Sequence, residues 1–594
     1  MKKLKKFWPF RKADLITLLY MALVGGILYY KNYQATKALL GAAMLPYVKF
    51  QPAMLTIGLI LAIALYCRAH SGLYLLIMDF VASVLLTVDV VYSRAFGGCV
   101  SIYMMFCSQN LGGMTQSAMS IIKPTDFLFF VDLPFLIVLE IWIRHIRKKK
   151  ELQRPRCHYI LATAIILFCM LSLNKTIAYW ENTTVMTQES SWVQRVTPIG
   201  YHYYDVYCII QEKTHPLTSA ARQEIADWLK DNDTDEYQAA SDEYKNLAGV
   251  FKGKNLIVLQ MESLEESMIN YKYNGQEITP NLNKILPNSL FFDNVHEQVG
   301  NGNSSDAELM TLTSLYPISR GSTFLRFGTV DYQSLPKAMK SQGYYTFAMH
   351  GDEAVFWNRE TTYKSMGFDD FISIEDFVNP EITNMGADDS SYFARMVEEC
   401  KKQSQNGPYF AFGISLTSHM PFEMPEDKKW LGIQETGKWA DYLQAIRYLD
   451  ECFGTFMRNM QDEGLLENTV IVIYGDHEGI QKYYPYDMGS LPDNQKKIPL
   501  IIYCADDGWT SGTVSTIGGE VDILPTISYL FGLQDASTGE STLGQTMMGR
   551  NLLRGGEGGV ILWDGSTIGT ADDLLKRAQQ ISDETIRGNY YHGK

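Results

Sequence analysis

The sequence predicts an α-helical membrane domain of five transmembrane helices, followed by an α/β domain built on a mainly parallel central sheet. Three observations predict it. Hydrophobic residues make up 46% of this 594-residue chain, yet its mean hydropathy is only -0.10, because the apolar stretches crowd toward one end. Beyond about Gly249, short β-branched runs alternate with helical patterns, the form taken by a parallel sheet covered by helices. Two of those runs end in ligand-type side chains: one leads into Glu262, the other into Asp476 and His477. In open α/β sheets, chemistry collects at the carboxyl ends of strands.

The membrane domain, 1–174, rests on apolar stretches at 15–30, 50–67, 72–92, 127–143 and 159–173. Crossing a hydrocarbon core takes roughly 17–25 residues. The shorter stretches are extended by flanking Tyr, Trp and Lys, which anchor in headgroups. Lys and Arg set the orientation. Residues 1–14, Arg68 and the 144–156 connection carry fourteen of them; the alternate loops carry five, Lys31, Lys37, Lys49, Arg94 and Lys123. This bias places the N-terminus in the cytoplasm and everything after Leu173 outside, in a multi-pass protein of the cell membrane. Asp79, Asp89 and Asp132 fall within the spans. Intramembrane carboxylates point to function, here a transporter-like role. A place near the interface is the simpler reading for Asp89 and Asp132.

Residues 175–248 form a juxtamembrane connector that mixes aromatic residues with charge. Surface-lying helices fit this composition, and 220–230 predicts one helix with Ile225, Trp228 and Leu229 on one face. The outer domain, 249–594, has strand patterns at 255–261, 290–295, 344–349, 408–415, 469–474, 498–503 and 559–563. Helical patterns stand at 333–342, 386–404, 439–463 and 522–531; the polar tail, 570–594, reads as peripheral. The net charge of -14 argues against nucleic acid as a partner. Cys208, Cys400, Cys452 and Cys504 show no CxxC spacing, so neither a zinc ribbon nor a dense disulfide framework is implied. Cys99 and Cys107 share an outer loop, where a disulfide and two free thiols are equally open readings.

Glu262, Asp476 and His477 offer two hard carboxylates and one imidazole. That donor set suits manganese or magnesium, with zinc a further candidate. Between them, the turn Gly300-Asn-Gly-Asn-Ser304-Ser305-Asp306 precedes a helical pattern. A serine there is ordinarily a cap. Beside a metal it can instead be an activated nucleophile, facing N–H groups that meet an anion. Two further stretches carry substrate-type side chains. His350-Gly-Asp352 leads to Trp357 and Arg359, which offer an acceptor for polyol hydroxyls, a flat apolar wall and a fork for phosphate. His419, beyond the 408–415 strand, is a candidate acid or base. The competing readings are a surface loop with an aromatic anchor and a structural histidine.

These motifs together resemble the lipoteichoic acid synthase family of phosphoglycerol transferases, within the alkaline phosphatase/sulfatase superfamily. The matching residues are Met261-Glu-Ser-Leu, Gly300 to Asp306, His350-Gly-Asp with Phe356-Trp-Asn-Arg, Ser415-Leu-Thr-Ser-His-Met-Pro-Phe and Gly475-Asp-His. The resemblance covers the whole plan of spans, connector and an extracellular sulfatase-like catalytic domain. It implies metal ligands at Glu262, Asp476 and His477, with Ser304 as nucleophile at the metal. It implies substrate contacts at Asp352, Trp357, Arg359, His419 and His350. The family usually has threonine where this chain has Ser304; serine keeps the hydroxyl. Ser-Asp-Ala-Glu after Ser304 does not match the context for formylglycine conversion, so a sulfatase proper is not implied.

The expected reaction moves glycerol phosphate from phosphatidylglycerol to a glycerol phosphate polymer or glycolipid acceptor through a covalent Ser304 intermediate, releasing diacylglycerol. The expected cofactor is Mn2+, with Mg2+ and Zn2+ as alternatives. A transferase of phosphoethanolamine or another headgroup acting on a surface glycan is the second reading. A non-catalytic, membrane-anchored binding protein is the third.

Overall fold

The computed structural model describes residues 12–67, 70–96, 98–102, 119, 121–149, 159–183, 189–214, 217–484, 494–506, 509–533, 543 and 546–593. It divides into two compact units, Met1–Met105 with Ile121–His215, and Phe106–Ser120 with Pro216–Lys594.

The first unit is helical: α1 (Lys12–Leu40), α2 (Gln51–Ala64), α3 (Ser71–Phe96), α4 (Leu133–Lys149), α5 (Tyr159–Thr183) and α6 (Glu189–Thr214). Helices thus stand at all five expected spans. Three are long and apolar enough to cross a membrane: Lys12–Leu40, Ser71–Arg94 and Tyr159–Trp180. Among the described residues, spans at the other two expected positions are not confirmed. At 1.5 Å per residue the 14 residues of α2 reach only ~21 Å, short of a ~30 Å hydrocarbon core. The 17-residue α4 ends in Arg147, Lys148 and Lys149, and its apolar part is shorter still. Pro124 and the 3-10 turn Pro124–Phe130 take up residues the sequence would assign to that span.

Lys31 is a correction. The sequence places it in an outer loop; it lies inside α1, which runs on to Leu40, and is buried. Its ammonium is tolerated there because Asp79 Oδ1 and Oδ2 accept from it at 2.9 and 2.8 Å. Asp89 is also buried, accepting from Val100 N at 3.0 Å and lying 2.9 Å from His202 Nε2. Cys99 is buried, and Cys107 lies outside the described residues. α6 bends at Thr197, whose φ of 60° precedes Pro198; a residue before proline is pushed out of the α region. Asn32 braces the bend, donating to Thr197 Oγ1 at 3.0 Å and accepting from Ile199 N at 2.9 Å.

The second unit opens with α7 (Ser219–Asn232), capped by Thr218, whose hydroxyl accepts from Ala221 N. Residues of the expected connector therefore fall in both units. A nine-stranded sheet follows, built from β1 (Asn255–Met261), β2 (Ser289–His296), β3 (Tyr345–His350), β4 (Asp370–Ile372), β5 (Tyr409–Ile414), β6 (Thr469–Gly475), β7 (Lys497–Cys504), β8 (Gly512–Val514) and β9 (Gly518–Gly519). Its order is β8-β2-β7-β6-β1-β5-β3-β4, with β9 also on β2. From β6 through β4 every pairing is parallel. β7 runs antiparallel to both β6 and β2. β1, β5 and β6 are buried along their whole length, as strands covered on both faces must be.

Helices α8 (Ser304–Thr313), α9 (Leu335–Ser341), α10 (Arg359–Met366), α11 (Asp389–Ser404), α12 (Lys438–Asp462) and α13 (Ile523–Phe531) complete the layers. The tail is a second correction. Residues Asp573–Arg587 form α14, capped by Asp572, with Leu575, Ala578, Ile581 and Ile586 buried in the main core. Its many polar residues sit on one face, so composition hid an amphipathic helix.

Candidate active site

Register builds the site. β1 and β6 pair in parallel with Met261 opposite Gly475. The next residue of each strand, Glu262 and Asp476, therefore emerges at the same carboxyl edge of the sheet. Gly475 permits this approach: a Cβ there would run into the backbone carbonyl of Leu264. β5 pairs Ile414 with Gln260, so Ser415 joins the same edge, and its Oγ accepts from Glu262 N at 2.9 Å. Ser418 Oγ donates to the Glu262 carbonyl at 2.7 Å, fixing the turn after β1 from both sides.

Glu262, Asp476 and His477 are buried, and each offers a ligand atom within 4.8 Å of the others. His477 Nε2 lies 3.5 Å from both Glu262 Oε1 and Asp476 Oδ2. His477 Nδ1 sits 2.9 Å from the Glu478 carbonyl. That carbonyl can only accept, which puts the proton on Nδ1 and leaves Nε2 as the acceptor nitrogen, close to both carboxylates. Asp476 Oδ1 is held by Ser263 N at 2.8 Å, and Glu262 Oε1 by Ser263 Oγ at 2.9 Å. Such outer contacts are what orient metal ligands.

The electrostatics point the same way. Burial, then the neighbouring Asp476 charge, pushes the Glu262 carboxyl well above its usual range; burial likewise raises Asp476. Burial, with Lys482 nearby, lowers the His477 pKa to about 3, so the ring is neutral. Two buried carboxylates and a neutral imidazole are costly on their own and favourable around a divalent cation. The donor chemistry and spacing fit such an ion.

Ser304 is the first residue of α8 and is buried beside this set. Its Oγ donates to Glu262 Oε2 at 3.1 Å and lies 3.5 Å from His477 Nε2. The preceding turn is tied down by Asp306, whose Oδ2 accepts from Gly300 N at 3.0 Å and Gly302 N at 2.8 Å. Ser305 Oγ donates to the Gly302 carbonyl at 2.7 Å. Ser305 and Asp306 hold the turn, and the Ser304 hydroxyl points to the carboxylates.

The remaining expected residues gather at the end of β3, in the segment from there to the start of α10, and in the loop after β5. His350 and His419 are both lowered in pKa, chiefly by burial, and the Arg359 charge adds to the fall in each. His419 Nδ1 lies 2.7 Å from the Met420 carbonyl, which leaves Nε2 as its basic nitrogen. Asp352 Oδ1 accepts from Glu353 N at 2.8 Å, while the buried Oδ2 has no hydrogen-bond partner. Trp357 and Asn358 have φ of 56° and 61°, a left-handed pair that costs a bulky residue ~1–3 kcal/mol. Arg359 is 1% exposed and clamped by Glu308. Its Nε and Nη2 donate to Glu308 Oε1 at 3.0 and 2.6 Å, and Nη1 has no hydrogen-bond partner. Burial works against this charge, but Glu308 outweighs it and the guanidinium pKa is raised.

Sequence reasoning missed Glu308 and Asn301. Glu308 lies four residues after Ser304 on one helix face, a spacing that was available; its link to Arg359 was not. Asn301 is 1% exposed, with neither Oδ1 nor Nδ2 hydrogen-bonded. Asn303, φ 47°, donates through Nδ2 to His477 Nε2 at 2.8 Å and to Tyr483 Oη at 2.8 Å, and accepts from Lys482 at 2.6 Å.

Known proteins match both parts of the chain. A sulfatase family model matches residues 254–533, and a lipoteichoic acid synthase N-terminal domain model matches residues 1–216. Lipoteichoic acid synthase 1 of Bacillus subtilis (strain 168) is 31% identical over 492 residues, covering 80% of this chain and 75% of its own. The lipoteichoic acid synthase of Staphylococcus aureus (strain USA300) is 29% identical over 525 residues, covering 85% and 78%. The crystal structure of the lipoteichoic acid synthase LtaP from Listeria monocytogenes superposes with a TM-score of 0.53 at 24% identity, over 61% of this chain and 98% of that one. With a helical unit and a sulfatase-like unit each matched in place, and a relative similar across most of both chains, this chain belongs to the lipoteichoic acid synthase family.

Proposed function

We propose that the protein is a membrane-anchored phosphoglycerol transferase that takes glycerol phosphate from phosphatidylglycerol. Family membership supports the reaction class. The observation that carries the residue assignment is the Ser304 hydroxyl, 3.1 Å from Glu262 and 3.5 Å from His477 at the start of a buried helix. Glu262, Asp476 and His477 would hold a divalent cation, Mn2+ being the first choice for this hard donor set. Bound there, such a cation would lower the pKa of the serine hydroxyl and offset phosphoryl charge.

Ser304 Oγ attacks the phosphorus, the bond to the diacylglycerol oxygen breaks, and diacylglycerol leaves with a proton. Glycerophospho-Ser304 remains. A hydroxyl of a glycerol phosphate polymer or glycolipid then attacks, its proton passes to a base, and Ser304 is restored. His419, neutral through burial, serves as that base through Nε2. Arg359 Nη1, Asp352 Oδ2 and His350 receive the phosphoglycerol, with Trp357 as a wall. The positive-inside charge bias supports a cytoplasmic N-terminus and a catalytic unit outside the cell membrane.

The test uses full-length protein, labelled phosphatidylglycerol and Mn2+, beside Ser304→Ala. Cation-dependent diacylglycerol release that disappears in the variant is the expected result. Turnover of phosphatidylethanolamine in place of phosphatidylglycerol overturns the donor; release that survives in Ser304→Ala overturns the nucleophile.

A further inference from the structure

Lys482 stands on the short helical turn Ile480–Tyr483, just beyond Asp476 and His477. Its ammonium donates to Asn303 Oδ1 at 2.6 Å and lies 5.9 Å from the centre of the Tyr483 ring. The other end of the same amide, Asn303 Nδ2, reaches Tyr483 Oη and His477 Nε2, each at 2.8 Å. One carboxamide and two hydrogen bonds thus join the ammonium to the imidazole, a path of at most roughly 8 Å. The charge is felt at the site. After burial, it is the largest influence lowering the His477 pKa, and it opposes the burial-driven rise at Asp476 and Asp306.

Two other cations of the second unit are committed to carboxylates. Arg359 is buried against Glu308, and Lys496 Nζ lies 3.7 Å from Glu297. Among the described residues Lys482 has no ion-pair partner, and its one hydrogen bond uses one of the three N–H bonds of an ammonium. The side chain is partly exposed, so the remaining N–H bonds can meet a solute. A lysine in this state is a point charge suited to a phosphate.

Reach decides which phosphate. In the proposed second step, the end hydroxyl of the acceptor attacks the phosphorus carried by Ser304 Oγ, an atom 3.5 Å from His477 Nε2. In a glycerol phosphate polymer, six bonds separate that phosphorus from the next one in the acceptor, roughly 7 Å at full stretch, as across two residues of extended peptide. The Lys482 ammonium stands at a comparable distance from the cation ligands. A glycolipid without phosphate offers it nothing. We propose that Lys482 binds the last phosphate of a poly(glycerol phosphate) acceptor and so selects that polymer over an uncharged glycolipid. The identity of the polymer rests on the function proposed above; the affinity of Lys482 for a phosphodiester does not.

The first test is binding. Full-length protein with Mn2+ and no donor lipid is titrated calorimetrically with a glycerol phosphate trimer and with triglycerol, its ether-linked counterpart without phosphate. The trimer is expected to bind the parent about tenfold more tightly than Lys482→Met, the worth of one charged hydrogen bond. Lys482→Arg is expected to stay near the parent, and triglycerol to be indifferent to both substitutions. Added salt is expected to weaken trimer binding more in the parent than in Lys482→Met. The two compounds then compete as acceptors with labelled phosphatidylglycerol as donor. The ratio of their kcat/KM values is read within each protein, which cancels any fraction that fails to fold, and is expected to fall about tenfold in Lys482→Met. Trimer affinity that is equal in the parent and Lys482→Met, or absent from both, overturns the proposal. An unchanged ratio also overturns it, and would mean that Lys482 only positions Asn303 or meets the donor phosphate. The titration needs no turnover, so failure of the protein to cleave phosphatidylglycerol counts against the proposed function and leaves the titration to be read by itself.

Discussion

Glu308 holds Arg359 through Nε and Nη2, one helical turn beyond Ser304, and leaves Nη1 as the one guanidinium nitrogen without a partner. The helix that presents the hydroxyl thus also aims the arginine. Removing the carboxylate strands a buried cation, a change that typically costs about 3–5 kcal/mol. Glu308→Ala is expected to lower the unfolding temperature and to reduce kcat. Glu308→Gln keeps an acceptor for Nη2 and is expected to retain more of both. Thermal unfolding beside diacylglycerol release checks the pair; equal activity in Glu308→Ala and the parent would deny Glu308 a positioning role.

Asn301 behaves in the opposite sense. A buried amide with no partner is a standing cost of ~1–3 kcal/mol. Asn301→Ala is therefore expected to leave stability unchanged or raised, while kcat/KM for the phosphoglycerol donor falls about tenfold through a lost substrate hydrogen bond. Steady-state kinetics together with a melting curve separate the two effects. Loss of stability without loss of kcat/KM would make the side chain structural.

Chelation is expected to destabilise the second unit, because the ion that offsets Glu262 and Asp476 binds the folded form. Cation at a hundred times its dissociation constant stabilises by about 2.7 kcal/mol. Calorimetric scans with EDTA and then with added Mn2+ measure this. In Asp476→Asn the added Mn2+ is expected to produce little shift. A shift as large as in the parent would place the cation elsewhere.

Asp389 provides a pH test away from the cation site. Its Oδ1 accepts from Leu416 N at 2.9 Å and Thr417 N at 3.2 Å, holding the loop that carries His419, while the buried Oδ2 has no hydrogen-bond partner. Burial raises its pKa from 3.8 to about 7, with Asp388 adding to the rise. The folded form therefore binds this proton more tightly than the unfolded form does. The stability it contributes is complete below pH 3.8 and is lost as pH rises through about 7. Asp389→Asn keeps the Oδ1 acceptor and removes the titration. Its melting temperature relative to the parent is expected to rise between pH 5 and pH 8; a constant difference would reject the assignment.

The sequence was most legible where one local pattern was sufficient. The strands ending at Met261 and Gly475 are short β-branched runs, and their carboxyl ends place Glu262, Asp476 and His477 together as expected. Three kinds of feature were hidden. The Glu308–Arg359 fork joins residues 51 positions apart, and no local rule connects them. Lys31 read as a loop charge because its partner, Asp79, is on another helix. The antiparallel direction of β7 depends on how β2 and β6 flank it, which its own apolar run does not encode. α14 is a milder case: its apolar face was present in the sequence, but few residues carry it.

The packing of α7 against α14 has a consequence for synthesis. Trp228 Nε1 donates to the Leu574 carbonyl across 346 residues, and Arg222 Nη1 reaches the Tyr590 carbonyl at 3.3 Å. Translation at about 5–20 residues per second separates those partners by roughly 20–70 s. Throughout that interval Ile225, Trp228 and Leu229 lack the surface that covers them in the finished core. The second unit is thus kept from closing until its last helix has been made.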